Sequence, residues 1–269
     1  MGALAMAYLT LGNVDPFEMV EAAALGGFRA TALRMTGHAP GDDWPFDPIR
    51  QADRDRMRQV AQSAGIKLVN VSTYRFGPGV TVEDYEPVLH CCAELGISTI
   101  TANSFAGTFH DVANLIGKVA AKALPLGIRI GIEFIPVSKI RTAQDALEMA
   151  QASGMPNVGI VVDALHLARS GGDAAGIARL PAPRLFAVQL CDAPAGGPGD
   201  DGLGAEMRAG RLLPGEGELD LAGLMRALPE GVEIEIETPN ARYDQLPPAE
   251  RARIAFEAGQ RFLAGGAWM

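Results

Sequence analysis

The stretch that decides the fold runs from Ile128 to Asp163. It reads IRIGIEF over Ile128–Phe134, TAQDALEMAQAS over 142–153 and VGIVVD over Val158–Asp163. The outer pieces are short apolar, β-branched runs of the length expected for buried strands. The middle piece is rich in Ala, Leu and Glu and has the length of a helix. Strand, helix and strand in that order form the unit of a parallel sheet.

The same alternation extends outward along the chain. Strands are expected at Ala5–Leu11, Ala30–Met35, Lys67–Thr73, Thr99–Asn103, Ile128–Phe134, Val158–Asp163, Leu185–Leu190 and Val232–Thr238. Helices are expected near 15–25, 50–64, 82–95, 109–124, 142–153, 173–179, 219–228 and 248–264. Asp15-Pro16 places a cap before a proline at the first helical position. Gly26-Gly27, Gly65, Gly96 and Gly127 stand where a helix passes into the next strand, the place of a left-handed cap.

With 269 residues, each of eight units has about 34, which suits a (β/α)8 barrel, one α/β domain over 1–269. A doubly wound sheet uses the same units but more often carries a Gly-rich phosphate loop after its first strand. Here that position reads Leu11-Gly-Asn-Val-Asp-Pro16, which is no dinucleotide fingerprint. The stretch 193–210, dense in Gly, Pro and Asp, is expected to be irregular and to cross the barrel mouth as a mobile cover.

Composition narrows the class. Hydrophobic residues make up 48% and charged residues 20%, enough for a sizeable core. The net charge of −9 argues against nucleic acid as a partner. Adjacent Cys91 and Cys92 cannot bridge each other normally, and three cysteines cannot close a disulfide framework. The start lacks the basic region of a signal peptide, and no apolar run approaches the roughly 18 residues of a span. The expectation is a cytoplasmic protein with no membrane partner; a homo-oligomer is left open.

In a barrel, side chains at the C-terminal strand ends converge. Strand five offers Glu133, strand six Asp163 with His166 close behind, strand seven Gln189 and Asp192, and strand eight Glu233, Glu235 and Glu237. Polar groups inside apolar runs are costly unless paired or bound to a cation. Taken singly, each has an ordinary reading as a loop residue, a cap or a rim hydrogen-bond partner. Four consecutive strands with such residues near their ends are harder to explain that way.

At these residues the sequence resembles the xylose isomerase-like superfamily of divalent-metal sugar isomerases and epimerases, nearest its hydroxypyruvate isomerase-like branch. The resemblance is carried by Glu133, Asp163-Ala-Leu-His166, Val188-Gln-Leu-Cys-Asp-Ala-Pro194, Arg211-Leu-Leu-Pro-Gly-Glu-Gly-Glu218 and Glu237-Thr-Pro-Asn240. It implies one metal held by Glu133, Asp163, Gln189 and Glu237. Gln189 stands where many epimerases of the superfamily have His, and is usual in the nearest branch. The interval between Pro194 and Arg211 is longer than that branch has, a departure expected to shape the substrate pocket.

Three anionic oxygen donors and one amide suit Mn²⁺ first, or Mg²⁺ or Co²⁺. A metal that chelates a carbonyl and its neighbouring hydroxyl acidifies the C–H between them and stabilises an enediolate. Glu133 and Glu237 are then the acid/base pair, His166 steadies a substrate oxygen or a carboxylate, and Arg211 binds a substrate carboxylate or hydroxyl. Arg211 could instead pair with Glu216, Glu218 or Asp192 and only hold the loop. The expected activity is isomerisation or epimerisation of a keto sugar or keto acid. A lyase or dehydratase on the same scaffold is the alternative, followed by a sugar-binding barrel without catalysis. An abasic-site endonuclease, with a His-rich zinc cluster and basic surface, does not suit four histidines and this charge.

Glu233, Glu235 and Glu237 share one strand parity, so they point to the same side. Glu237 is the expected ligand, being nearest the strand end; Glu235 takes its place if the strand ends earlier. A deeper Glu235 would need a partner, for which Arg129 and Arg34 are candidates. His38, Asn103 and Ser104 fall on the substrate side, and His110 on the following helix. Phe105, Phe134, Ile135 and Pro136 suggest an apolar rim.

Overall fold

The computed structural model describes residues 4–37 and 43–266, so His38 lies outside the described residues. Eight parallel strands pair in sequence order and close on themselves. They are β1 Ala5–Met6, β2 Ala30–Leu33, β3 Lys67–Arg75, β4 Thr99–Asn103, β5 Arg129–Glu133, β6 Val158–Asp163, β7 Leu185–Leu190 and β8 Glu233–Ile236. Closure is made by β8 against β1, with Ala5 beside Glu235. Apart from β3, the strands are buried along almost their whole length, as a parallel sheet covered by helices requires.

The helices are α1 Pro16–Gly26, α2 Gln51–Ala64, α3 Glu86–Leu95, α4 Phe109–Ala123, α5 Ala143–Ala152, α6 Ala164–Arg169, α7 Ala174–Ala178, α8 Asp200–Ala209, α9 Leu221–Ala227 and α10 Pro248–Ala264. Asp15 caps α1 ahead of Pro16, and Thr142 with Asp145 forms a capping box on α5. No helix among the described residues is long and apolar enough to cross a membrane.

Three differences from expectation bear on the mouth. Strand one stops at Met6, and Tyr8–Thr10 form a 3-10 turn. Thr10 explains this: its hydroxyl donates to the Ile236 carbonyl at 2.8 Å and accepts from the Thr238 amide at 3.1 Å. These bonds draw the chain across the end of β8 and lift Tyr8 and Leu9 off the sheet into the barrel mouth. Strand eight stops at Ile236, although the Glu237 amide still donates to Leu190 O at 3.0 Å.

The third difference is a correction. The stretch 193–210 is not irregular throughout, because Asp200–Ala209 is the helix α8. Its signals are Asp200 and Asp201 in the first turn, where acids suit the helix dipole, and the buried pair Leu203 and Met207 one turn apart. Arg169 fastens it to α6 with two bonds to Glu206, at 2.8 and 2.7 Å.

The Pro-Gly-x-Gly segment that follows encloses Asp192. The Asp192 carboxylate accepts from the amides of Gly215 and Leu219, each at 3.0 Å. Gly215 has φ +89°, and a Cβ on Gly217 would lie 2.4 Å from Asp192 Oδ1, so both positions require glycine. Asp192 is thus a loop organiser, and it leads the chain back to Arg211 at the mouth.

Candidate active site at the barrel mouth

Strand ends and connecting loops line a cavity of ≈ 460 Å³ at the C-terminal mouth. Glu133, His166, Arg211 and Glu237 face it, together with Tyr8, Arg34, Thr73, Arg75, Asn103 and residues of α8. Two clefts of comparable size, around Gly77–Glu83 and around Arg129 and Phe186, contain none of the buried carboxylates.

Glu133, Asp163 and His166 come close enough to share a cation, with one ligand atom of each within 4.8 Å of the others. Asp163 does two jobs. Its Oδ1 caps α6 by accepting from the His166 amide at 2.8 Å, while its Oδ2 accepts from Arg211 Nη1. The capping bond holds the His166 backbone at the start of α6, and the imidazole Nε2 lies 3.9 Å from Glu133 Oε1. Glu237 reaches the group from β8; its Oε2 is 3.1 Å from Arg211 Nη1, and its carboxyl contacts Asp163.

Arg211 is almost wholly buried and pairs with none of Glu216, Glu218 and Asp192, the partners of the alternative reading. Glu216 pairs with Arg242, Glu218 accepts from the Ala195 amide, and Asp192 accepts from backbone amides. Arg211 instead bridges Asp163 and Glu237, with Nε donating to Met207 O at 2.9 Å. It is therefore built into the carboxylate cluster and tied to α8.

Burial dominates the electrostatics. It pushes the Glu133 carboxyl up to about 7, helped by the charge of Asp163 and opposed by Arg211. Burial, with Glu133 and Asp163 nearby, holds Glu237 well above the usual carboxylate range against the pull of Arg211. Burial would raise Asp163 as well, but Arg211 and His166 outweigh it and hold the group at about 2. Burial lowers His166 to about 4, so its imidazole is neutral at pH 7. Tyr8 is raised to about 12, by burial first and then by Glu237.

Gln189 lies beside Asp163 on one side and Glu235 on the other in the strand register. Its Nε2 donates to Glu235 Oε2 at 3.1 Å, and its Oε1 is buried without a hydrogen-bond partner. Glu235 is fully buried one register step below Glu237. It also accepts from Asn70 Nδ2 at 2.9 Å. Neither expected arginine serves it. Arg129 Nη2 donates to Thr99, and Arg34 Nε donates to Thr36 O with its guanidinium over the Trp44 ring.

The donor set fits an oxygen-seeking divalent cation. Gln189 Oε1 is a buried acceptor without a hydrogen bond, and Glu237 Oε2 meets Arg211 Nη1 only as an ion pair, beside the carboxylates of Glu133 and Asp163. His166 Nδ1 is likewise unpartnered. Among the rim residues, Asn103, Phe105 and Ile135 line the cavity, whereas Phe134 is core and Pro136 only accepts from Arg141. Ser104 bonds Ala106 O, and His110, in the first turn of α4, does not line the cavity. Sequence reading missed Tyr8, Thr73, Arg75, Met207 and Arg208. Tyr8 was concealed inside an overlong strand one, and Met207 and Arg208 inside a stretch read as irregular.

A family model described as a xylose isomerase-like TIM barrel matches residues 20–263. A 3-dehydroshikimate dehydratase of Pseudomonas aeruginosa is 26% identical over 237 residues, covering 82% of this chain and 35% of that protein. The chain thus spans about a third of that relative's length. An inosose isomerase of Bacillus velezensis is 23% identical over 196 residues, 68% of each chain. The solved IOLI protein with a bound zinc atom superposes with TM-score 0.80 at 17% identity, covering 98% of this chain and 99% of that one. A D-psicose 3-epimerase with D-tagatose, from Clostridium cellulolyticum H10, gives TM-score 0.73 at 13% identity, covering 97% and 99%. The structural likenesses show the fold, and with the family match over most of its length the chain belongs to the xylose isomerase-like TIM barrel family.

Proposed function

We propose that this chain is a divalent-metal-dependent isomerase or epimerase of a small hydroxy-carbonyl compound. The observation that carries the reading is the convergence of Glu133 and Glu237 on one cavity with carboxyls of different proton affinity. Glu133, near 7, suits a base that takes a proton from carbon at neutral pH. Glu237, whose carboxyl burial holds well above the usual carboxylate range, suits the acid that returns one. Glu133, Asp163, Gln189 and Glu237 would hold the cation, Mn²⁺ by preference or Mg²⁺ or Co²⁺. Bound there, it would polarise the substrate carbonyl and stabilise the charge left by proton removal.

Neutral His166 offers its ring to a substrate oxygen, and Arg211 keeps a planar cation at the same wall. A small polyhydroxy ketone fits a cavity of ≈ 460 Å³ lined by these groups. The inosose isomerase and D-psicose 3-epimerase relationships support that substrate class.

A second reading, dehydration, is favoured by one feature of the cavity. Arg34, Arg75 and Arg208 line it as well as Arg211, on a chain whose net charge is −9. Such a wall favours an anionic substrate. A keto acid with a leaving group at the β-carbon would eliminate it after proton loss to Glu133. The similarity to 3-dehydroshikimate dehydratase across 82% of the chain supports this.

Incubation with each metal in D₂O, using an inosose, D-psicose and 3-dehydroshikimate, tests both readings. Deuterium at the carbon beside the carbonyl, with an isomeric product, is the expected result; a dehydrated product selects the second reading. Absence of both with every metal and substrate overturns the proposal.

A further inference from the structure

Below the mouth runs a chain of buried polar groups that the acid/base scheme does not use. Asn70 is hydrogen-bonded to Thr101 Oγ1, with its Nδ2 at 2.8 Å. The same Nδ2 donates to Glu235 Oε1 at 2.9 Å, and Glu235 Oε2 accepts from Gln189 Nε2 at 3.1 Å. All four side chains are buried in the described structure. The chain ends at Gln189 Oε1, which has no hydrogen-bond partner.

A primary amide has a donor end and an acceptor end that are almost the same size, so its orientation is set by its partners. Glu235 offers Gln189 an oxygen acceptor, which satisfies the NH₂ end and turns Oε1 away. We infer that Glu235 is the positioning residue that sets the amide orientation of Gln189 and so presents Oε1 as the fourth oxygen donor for the cation. This inference rests on the proposed metal site. It also gives Glu235 a role distinct from that of Glu237, two residues further along the chain and just past the end of β8.

Glu235→Gln tests it with little change of shape. Asn70 Nδ2 would hold the new amide's oxygen, leaving its NH₂ toward Gln189. Gln189 would then have to turn its own oxygen downward and present NH₂ to the cation. The exchange Gln189→Glu with Glu235→Gln reverses the pair, restoring a donor below and an oxygen above.

Metal-stripped proteins should be titrated with Mn²⁺ by calorimetry, with circular dichroism confirming that each is folded. Wild type should bind one ion, and Gln189→Ala should bind it weakly. Glu235→Gln should lose affinity about 10–100-fold, as expected when a group orienting a metal ligand is removed. The double exchange should recover most of the affinity lost in Glu235→Gln. A structural role alone would lower thermal stability and leave the Mn²⁺ affinity of the folded protein unchanged. Wild-type affinity in Glu235→Gln, while Gln189→Ala is impaired, overturns this inference alone, as does failure of the exchange to restore binding. No binding by wild type, or undiminished binding by Gln189→Ala, overturns the metal reading and this inference with it.

Discussion

Arg211 Nη1 lies 3.1 Å from Glu237 Oε2 and also donates to Asp163 Oδ2, so one guanidinium joins two of the proposed metal ligands. With Glu133 alongside, three buried acidic groups share that single cation. Within this carboxylate cluster the balancing charge therefore comes from Arg211 until a metal ion binds. A divalent cation and Arg211 act on the same carboxylates, and each should affect how much the other contributes.

Removing Arg211 exposes that dependence. Breaking a buried ion pair from one side typically costs about 3–5 kcal/mol, because the remaining charge is left unpaired. Arg211→Met should therefore melt well below wild type in chelator. Saturating Mn²⁺ should raise its melting temperature by more than it raises that of wild type. Scanning calorimetry measures both gains, and equal gains would refute the charge-balance account.

Glu133→Gln and Glu237→Gln separate chemistry from packing. Each keeps the side chain's size but removes an ionisable group proposed to be both ligand and proton carrier. Turnover should fall by several orders of magnitude while the circular dichroism spectrum stays that of wild type. His110→Ala and Asp111→Ala, on α4, should alter turnover by less than about twofold. Comparable losses in the two pairs would locate the chemistry elsewhere.

The raised carboxyls set the sign of the pH response. Glu133 stands near 7, and burial with the neighbouring Glu233 charge raises Glu235 to about 8. Each binds its proton more tightly folded than unfolded. Their contribution to stability is therefore complete below the ordinary value of 4.5 and is lost as pH rises through 7 and 8. Asp163, lowered to about 2, and His166, lowered to about 4, act oppositely: Asp163 costs stability as pH falls below 3.8, and His166 as pH falls below 6.5. Urea unfolding of chelated protein should show stability falling between pH 6.5, where His166 no longer opposes, and pH 9, on the order of a few kcal/mol, and Mn²⁺ should flatten the slope. A rise with pH would reverse the account.

The barrel was legible because its strands are nearly continuous apolar runs separated by helical periods, and helix caps such as Asp15-Pro16 are local signals. The acidic residues were legible for the same reason, standing out against apolar strands at Glu133, Asp163 and Glu237. Partners were not. Glu235 pairs with Asn70 and Gln189 from strands distant in sequence, and a parity argument cannot rank them against Arg129 or Arg34. Arg211 was recognisable as a motif residue, but its contact with Asp163 depends on how α8 seats it. That helix was missed because glycine and proline at 196–199 drew attention from the apolar pair Leu203 and Met207.

The helix α8 gives the last test. Its Met207 carbonyl accepts Arg211 Nε, and Met207 and Arg208 line the cavity, so its seating sets part of the substrate wall. The seat depends on the doubly bonded Arg169–Glu206 pair, whose side chains are only 6% and 10% exposed. Bidentate pairs of this kind contribute more than open surface pairs. Glu206→Gln keeps the shape, removes the charge and weakens one of the two bonds. The helix should then open more often, which hydrogen exchange at the amides of 203–209 would register as faster exchange with α5 unchanged. Substrate affinity should suffer more than metal affinity, because the proposed ligands come from strand ends and not from α8. A rise in KM of about threefold to tenfold, with Mn²⁺ affinity at the wild-type level, is the expected result. Loss of Mn²⁺ affinity with unaltered exchange would mean that α8 supports the ligands directly and not the substrate wall.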